Sequence, residues 1–198
     1  MTPPDALPDL ANLMSAAQPA AALIEGRRTI HEFLPHAVPQ ELLSRAIEVA
    51  RWAPNHYLSE PWRFYVLGPQ TAQAIADLNA DMVTAARGAD AGASKRTRWR
   101  AIPGWLAVTC DRSEDPTRQQ EDYAACCCAV QNLSLYLWQA GVGTKWTTGA
   151  VTQSPEFYDL IWVDPARESL VGLIWYGYPA EIPQTARKAL DQIVVALP

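Results

Sequence analysis

At 198 residues the chain is long enough for one domain with a full core, and 49% apolar against 19% charged residues excludes a disordered polymer. A net charge of −5 with no outstanding basic run or face argues against nucleic acid as a partner, and no apolar run is long enough to span a membrane. Eight tryptophans exceed what one monomer core needs and point to a ligand or a subunit interface.

Residues 1–18, rich in Ala, Pro and Asp, read as an extension with partial helical character. Two aspartates and no Lys or Arg before Arg27 leave out the charged start of a signal peptide, so a cytoplasmic setting is expected. Residues 20–24 predict a short helix ending near Gly26, a common residue just past a helix C-terminus. Pro39 suits a first helical turn. Leu42, Leu43, Ala46, Ile47 and Ala50 then recur on one helical face, and Pro54 ends that helix. An aromatic-rich loop follows, with Trp52, Asn55, His56 and Trp62. Its residues either pack helix against strand or wall a ligand site.

Residues 63–67 predict a strand, broken by Gly68-Pro69. Residues 71–86 predict a helix on the spacing of Ala74, Ile75, Leu78 and Met82. Residues 87–100 carry Arg87, Lys95, Arg96, Arg98 and Arg100. They read as a solvated helix or loop, or as a rim that attracts an anionic cosubstrate. Residues 105–110 predict a buried strand. Residues 117–140 are apolar nearly all round, the signature of a central buried helix. Residues 145–148 predict a short strand or extended loop. Ser154-Pro155 opens a helix with a serine cap and proline at its first position. Residues 168–176 make the strongest strand, and residues 187–197 form a tail with an apolar end. Strands interleaved with helices predict an α+β or α/β layer, a small sheet covered by helices. No repeat or linker divides residues 19–198, which read as a single domain.

Four cysteines, Cys110, Cys126, Cys127 and Cys128, read as small residues in a reducing compartment. The last three point about 100° apart on a helix and cannot converge on one metal. The dinucleotide fingerprint, phosphate loop, nucleophile elbow and zinc helix motifs are all missing. His31, His36 and His56 are scattered, so no metal site is expected. No nucleophile–base pair can be read from the spacing, so no catalytic side chain is assigned. If the chain is an enzyme, a cofactor carries the chemistry. Arg27-Arg28-Thr29 offers two guanidinium groups and a hydroxyl to a phosphate; a solvated basic pair is the plainer alternative. Trp146-Thr147-Thr148-Gly149 either borders a planar ring or is an ordinary inner strand.

In order and spacing these pieces resemble the nitroreductase family of flavoproteins, in its compact YdjA-like branch. Arg27-Arg28-Thr29-Ile30-x-x-Phe33 is similar to the family's opening Arg-Arg-Ser-x-Arg-x-Phe. Ala53-Pro54-Asn55-His56-x-x-x-x-Pro61-Trp62-x-Phe64 is similar to its Ala-Pro-Ser-x-x-Asn-x-Gln-Pro-Trp loop. Gly141-x-Gly143-x-x-Trp146-x-x-Gly149-Ala150 resembles the segment beside the flavin. Arg187-Lys188-x-Leu190-Asp191-x-Ile193-Val194 resembles the closing Arg-Lys-Pro-Leu-Glu-Glu-Val-Val. His31, Trp52, Leu58, Glu60 and Ala189 depart from the family's usual residues.

The resemblance implies an α+β nitroreductase-like fold, a small central mixed sheet flanked by helices, and an intertwined homodimer with FMN at the interface. It implies that Arg27, Arg28, Thr29 and Arg187 hold the phosphate and ribityl chain. Trp146, Thr147 and Thr148 border the isoalloxazine ring, and Trp52, Asn55 and His56 come from the partner subunit. The implied activity is an FMN-dependent NAD(P)H oxidoreductase. A hydride passes from nicotinamide to flavin, then two electrons pass to a nitroaromatic or quinone acceptor, in ping-pong fashion. A flavin-binding protein for storage or sensing is the alternative, and desaturation or dehalogenation stays open within the family.

Overall fold

The computed structural model describes residues 9–197, so the first eight residues of the expected extension lie outside the described part. The elements in order are α1 (Leu10–Gly26), α2 (Gln40–Ala50), β1 (Trp62–Val66), α3 (Pro69–Arg87), α4 (Ala89–Arg100), β2 (Gly104–Asp111), α5 (Pro116–Gln139), β3 (Gly143–Thr147), α6 (Pro155–Leu160) and β4 (Glu168–Gly177). The helix expected over residues 20–24 starts much earlier. Asp9 caps it by accepting the backbone N–H of Asn12 at 3.0 Å, and Pro19 sits inside it. Residues 11–20 are all exposed, so alanine propensity rather than a periodic face forms this stretch.

The sheet runs β1-β2-β4-β3 and every strand pair in it is antiparallel. The parallel element is an isolated bridge between Thr29 and Thr144. Helices cover both faces, so the two central strands are buried on both. Leu106, Val108, Cys110, Val171, Ile174 and Tyr176 face α2 and α5. Trp105, Ala107, Leu173 and Trp175 face α3, α4 and α6. Helix α5 buries one face, including Cys126, Val130, Leu133 and Leu137. Tyr123 and Cys128 stay exposed, so the expectation of burial nearly all round is too strong. Its buried Cys126 meets buried Cys110 of β2 within hydrogen-bonding reach, and that contact together with burial pushes the Cys126 thiol far up.

One irregularity shapes the site. The β2–β4 register shifts between Val108 and Thr109, whose partners are Gly172 and Leu170. Val171 is therefore the extra residue of a β-bulge, a place where a ladder group is left unpaired. The indole N–H of Trp146 donates to the Val171 carbonyl at 3.0 Å. A Cβ on Gly172 would lie 2.0 Å from that nitrogen, so only glycine lets the ring settle there.

Helices α3 and α4 are clamped by charge. Asp77 accepts from Arg96 at 3.0 Å and from Arg100 at 2.7 Å, and Asp81 from Arg96 at 2.7 Å. The hydrogen bond from Arg100, with the help of Arg96, holds the Asp77 carboxyl below its usual range. Its folded pKa is thus lower than its unfolded value of about 3.9. The stabilisation is fully present above that value and is lost as pH falls through the folded one. Asp77→Asn is expected to lower the thermal midpoint near neutral pH, with the gap to wild type closing below about pH 4. An unchanged gap in melting scans down to acid pH would contradict the pairing.

Candidate functional site

The arginine pair follows directly from the end of α1. Arg27 is the C-cap, its N–H bonded to the Leu23 carbonyl at 3.2 Å. Arg28 turns one guanidinium nitrogen back onto the Glu25 and Arg27 carbonyls at 2.5 and 2.9 Å, a favourable use of a cation at a helix C-terminus. The Arg27 guanidinium is half-buried, and its Nε is buried with no hydrogen-bond partner among the described residues. Burial first, then Arg187 and Arg28, lower its pKa. The tail arginine therefore comes within Coulombic reach of Arg27. Among the described residues no carboxylate forms a salt bridge with Arg27, Arg28 or Arg187.

Thr29 and Ile30 run beside β3. Thr29 bridges to Thr144, and the Ile30 N–H donates to the Thr144 carbonyl at 3.0 Å. This ties the arginine segment to the strand that ends in Trp146 and Thr147, with Thr148 following. Trp146 is pinned by its bond to the bulge yet remains 38% exposed. Arg27, Arg28, Thr29 and Arg187 thus gather at one end of the fold, next to the strand carrying Trp146, Thr147 and Thr148.

Trp52, Asn55 and His56 lie elsewhere. Their loop is folded by its own polar groups: the Asn55 amide donates to the Ala53 carbonyl at 3.1 Å and accepts the Glu60 N–H at 2.9 Å. Tyr57, Leu58 and Glu60 have φ of 55°, 51° and 44°, a left-handed run that costs energy in non-glycine residues. Two contacts to α5 hold it. His56 Nδ1 meets Glu121 at 2.8 Å, and Ser59 donates to the buried Asp122 carboxylate at 2.7 Å. Within one chain His56 therefore pairs with a carboxylate. Trp62 is buried and packs in the core, whereas Trp52 is 80% exposed. Removing the Ser59 hydroxyl (Ser59→Ala) is expected to cost about 1 kcal/mol and to speed proteolytic cleavage within residues 55–60. Unaltered cleavage would show that the strain is held by other contacts.

The two groups do not meet within one chain. The loop is fastened at Glu121 and Asp122, while Gly26 lies against the Trp138 indole at the far end of α5. Asp122 and Trp138 are roughly 24 Å apart along the axis at 1.5 Å per residue.

Sequence reasoning missed a second cationic group. On β3, Lys145 and Trp146 point to opposite faces. The Lys145 ammonium sits 4.9 Å over the Trp175 ring and 3.2 Å from His31 Nδ1. Alternation along the strand is the signal that could have found it; the partner, 114 residues away, leaves no local trace. A cavity of about 760 Å³ lies instead beside Arg63, Asp111, Arg112, Trp162, Arg167 and Glu168. None of the expected site residues lines it, and Arg63 is neutralised by Asp111 and Glu168 at 3.1 and 3.2 Å.

The Nitroreductase family model matches residues 24–178. The chain is 28% identical over 170 residues to YfhC of Bacillus subtilis (strain 168), which carries a provisional NAD(P)H nitroreductase name; the match covers 84% of this chain and 87% of that one. A nitroreductase-like family protein from Bacillus cereus superposes with a TM-score of 0.79 at 28% identity, covering 89% of this chain and 95% of that one. A protein from Desulfovibrio desulfuricans solved in complex with FMN superposes with a TM-score of 0.72 at 24% identity, covering 91% and 97% of the two chains.

Proposed function

The chain belongs to the nitroreductase family, and from that premise we propose that it is an FMN-dependent NAD(P)H oxidoreductase acting on nitroaromatic or quinone-like acceptors. The observation that carries this reading is the cluster of Arg27, Arg28 and Arg187 with no neutralising carboxylate among the described residues and a buried, unpartnered Arg27 Nε. Uncompensated guanidinium groups are a ready phosphate site. The residues present therefore fit the phosphate end of the cofactor.

Arg27, Arg28 and Arg187 bind the phosphate, and the exposed Thr29 hydroxyl adds a donor toward the ribityl chain. Trp146, held by the Val171 carbonyl, forms a fixed wall for the ring, with Thr147 and Thr148 at its rim. Trp52, Asn55 and His56 belong to the site of a second copy, in an intertwined homodimer. Exposed Tyr57 and Leu58 on that loop, and Leu190, Ile193, Val194 and Val195 on the tail, give such a dimer apolar surface to bury. When bound, FMN supplies the hydride-accepting and two-electron chemistry, in two half-reactions with NAD(P)H and the acceptor. The chain's residues position and exclude water; none acts as a base. Residues 19–198 form the flavin-binding domain and residues 1–18 an extension whose described part continues α1. A cytoplasmic setting suits its four free thiols, and no described helix is long and apolar enough to cross a membrane.

Purification with FMN, followed by anaerobic NAD(P)H, is the test. Bound flavin whose visible absorbance bleaches, and returns on adding a quinone, is the expected result. A colourless protein that takes up no FMN overturns the reading. A yellow protein that NAD(P)H does not bleach indicates storage or sensing instead.

A further inference from the structure

The basic stretch of residues 87–100 is divided in two. Arg96 and Arg100 are paired with Asp77 and Asp81. Lys95 and Arg98 lie three residues apart, on one face of α4, and neither forms a salt bridge among the described residues. That face meets Lys145 through an indole floor. Lys95 Nζ lies 6.0 Å over the Trp99 ring, Lys145 Nζ lies 4.9 Å over the Trp175 ring, and the two rings touch edge to face at 4.9 Å. His31 completes the group, 3.2 Å from Lys145. Burial, then the nearby Arg98 and Arg87, push the Lys95 ammonium down, and burial, then Arg98 and Lys95, push the Lys145 ammonium down. The Nε1 atoms of Trp99 and Trp175 are both buried without a hydrogen-bond partner among the described residues.

We infer that Lys95, Arg98, Lys145 and His31 form a recognition site for the oxyanion of the second substrate, a phosphate or a carboxylate. The inference rests on the functional reading above for its location, one residue along β3 from Trp146 and on the opposite face. Its physics stands apart from that reading. Two ammonium groups held over a rigid aromatic floor, with Arg98 beside them on α4 and without the counter-charges given to Arg96 and Arg100, form a cationic patch that an anion relieves. The indoles hold the two ammonium groups in place, so little ordering remains to be done on binding. Two substrates could bring the oxyanion: a nicotinamide dinucleotide phosphate, or an electron-poor aromatic acid.

The experiment is calorimetric titration of the full chain, with and without FMN, as wild type, Arg98→Gln, Lys145→Gln and Arg96→Gln. The probes are NADP⁺ against NAD⁺, which differ by one phosphate, and p-nitrobenzoate against p-nitrobenzyl alcohol, which differ by the charge of one group. Wild type is expected to prefer the more anionic member of one pair. Arg98→Gln and Lys145→Gln are expected to weaken that ligand about tenfold, the loss of one charge-assisted contact, and to leave its less charged analogue unchanged. Arg96→Gln, on the paired face, keeps the wild-type preference. Preference within the first pair identifies the dinucleotide, and within the second the acceptor. Equal binding within both pairs, or a preference that both variants retain, overturns the inference. So does a variant that loses FMN affinity while ligand preference stays intact, since the cations would then serve the flavin. Failure of wild type to bind FMN sinks the functional reading alone, because the flavin-free titrations still report on the oxyanion site.

Discussion

Arg27→Met is expected to weaken FMN binding by at least about 1.5 kcal/mol, the lower end for a charge-assisted hydrogen bond, while making the flavin-free protein no less stable. The two effects have opposite origins. In the free chain the Arg27 guanidinium is partly desolvated, is repelled by Arg187 and Arg28, and leaves its Nε without a partner. Methionine keeps the apolar stem and removes that unfavourable charge. On the proposed placement the same charge faces a phosphate in the loaded protein, and its loss is felt in full. Arg28→Ala is expected to lower FMN affinity by a similar amount and, unlike Arg27→Met, to destabilise the flavin-free chain too. Arg28 also caps the carbonyls of Glu25 and Arg27 at the end of α1. Flavin fluorescence titration and thermal melts of both variants, with and without FMN, separate the outcomes. Unchanged affinity in both would remove the phosphate from this end of the fold.

Trp175→Ala is expected to cost about 3–5 kcal/mol of folding stability, the range for deleting a large buried aromatic side chain. Trp175 is 3% exposed and packs at 4.9 Å against Trp99 and 5.6 Å against Trp105. It stands opposite both Trp105 and Lys145 in the sheet. Its loss leaves a cavity between β4 and α4 and takes away the ring beneath the Lys145 ammonium. Trp175→Phe, which leaves a smaller void and keeps an aromatic face under the lysine, should cost clearly less. The measurement is the denaturation midpoint of each at constant slope. Equal losses for the two variants would mean that the indole's packing is not what holds α4 to the sheet.

Much of this architecture is written locally. Pro39 stands as the N-cap of α2, and the Ser154 hydroxyl accepts the Phe157 N–H at the start of α6. The unbroken apolar run of β4 marks a strand covered on both faces. Other features depend on partners far along the chain. Trp52 and Trp62 look alike in sequence, but only Trp62 falls on the core side of β1, in step with Phe64. The bulge at Val171 leaves no mark except Gly172, and its role is plain only once Trp146 is seen against it. The left-handed run at Tyr57, Leu58 and Glu60 is hidden because it contains no glycine; side chains of α5 hold what local preference would not. At the site, the arginines and the β3 segment were legible as motifs. Lys145 with His31, and the division of the α4 cations into paired and unpaired faces, required the fold.

The bridge between Thr29 and Thr144 also bears on aggregation through the sheet edge. Strand β3 is an edge of the sheet, and an unpaired edge is a template for further strands from other molecules. Residues 29 and 30 cover part of that edge, through the bridge and the Ile30 N–H. The same short segment carries Arg27 and Arg28, which the proposed function assigns to a phosphate. Whatever draws residues 27–31 off β3 therefore bares a row of backbone donors and acceptors. On the proposed placement a bound phosphate would hold this segment down, so solubility on storage becomes a property of the proposed site as well as of the surface.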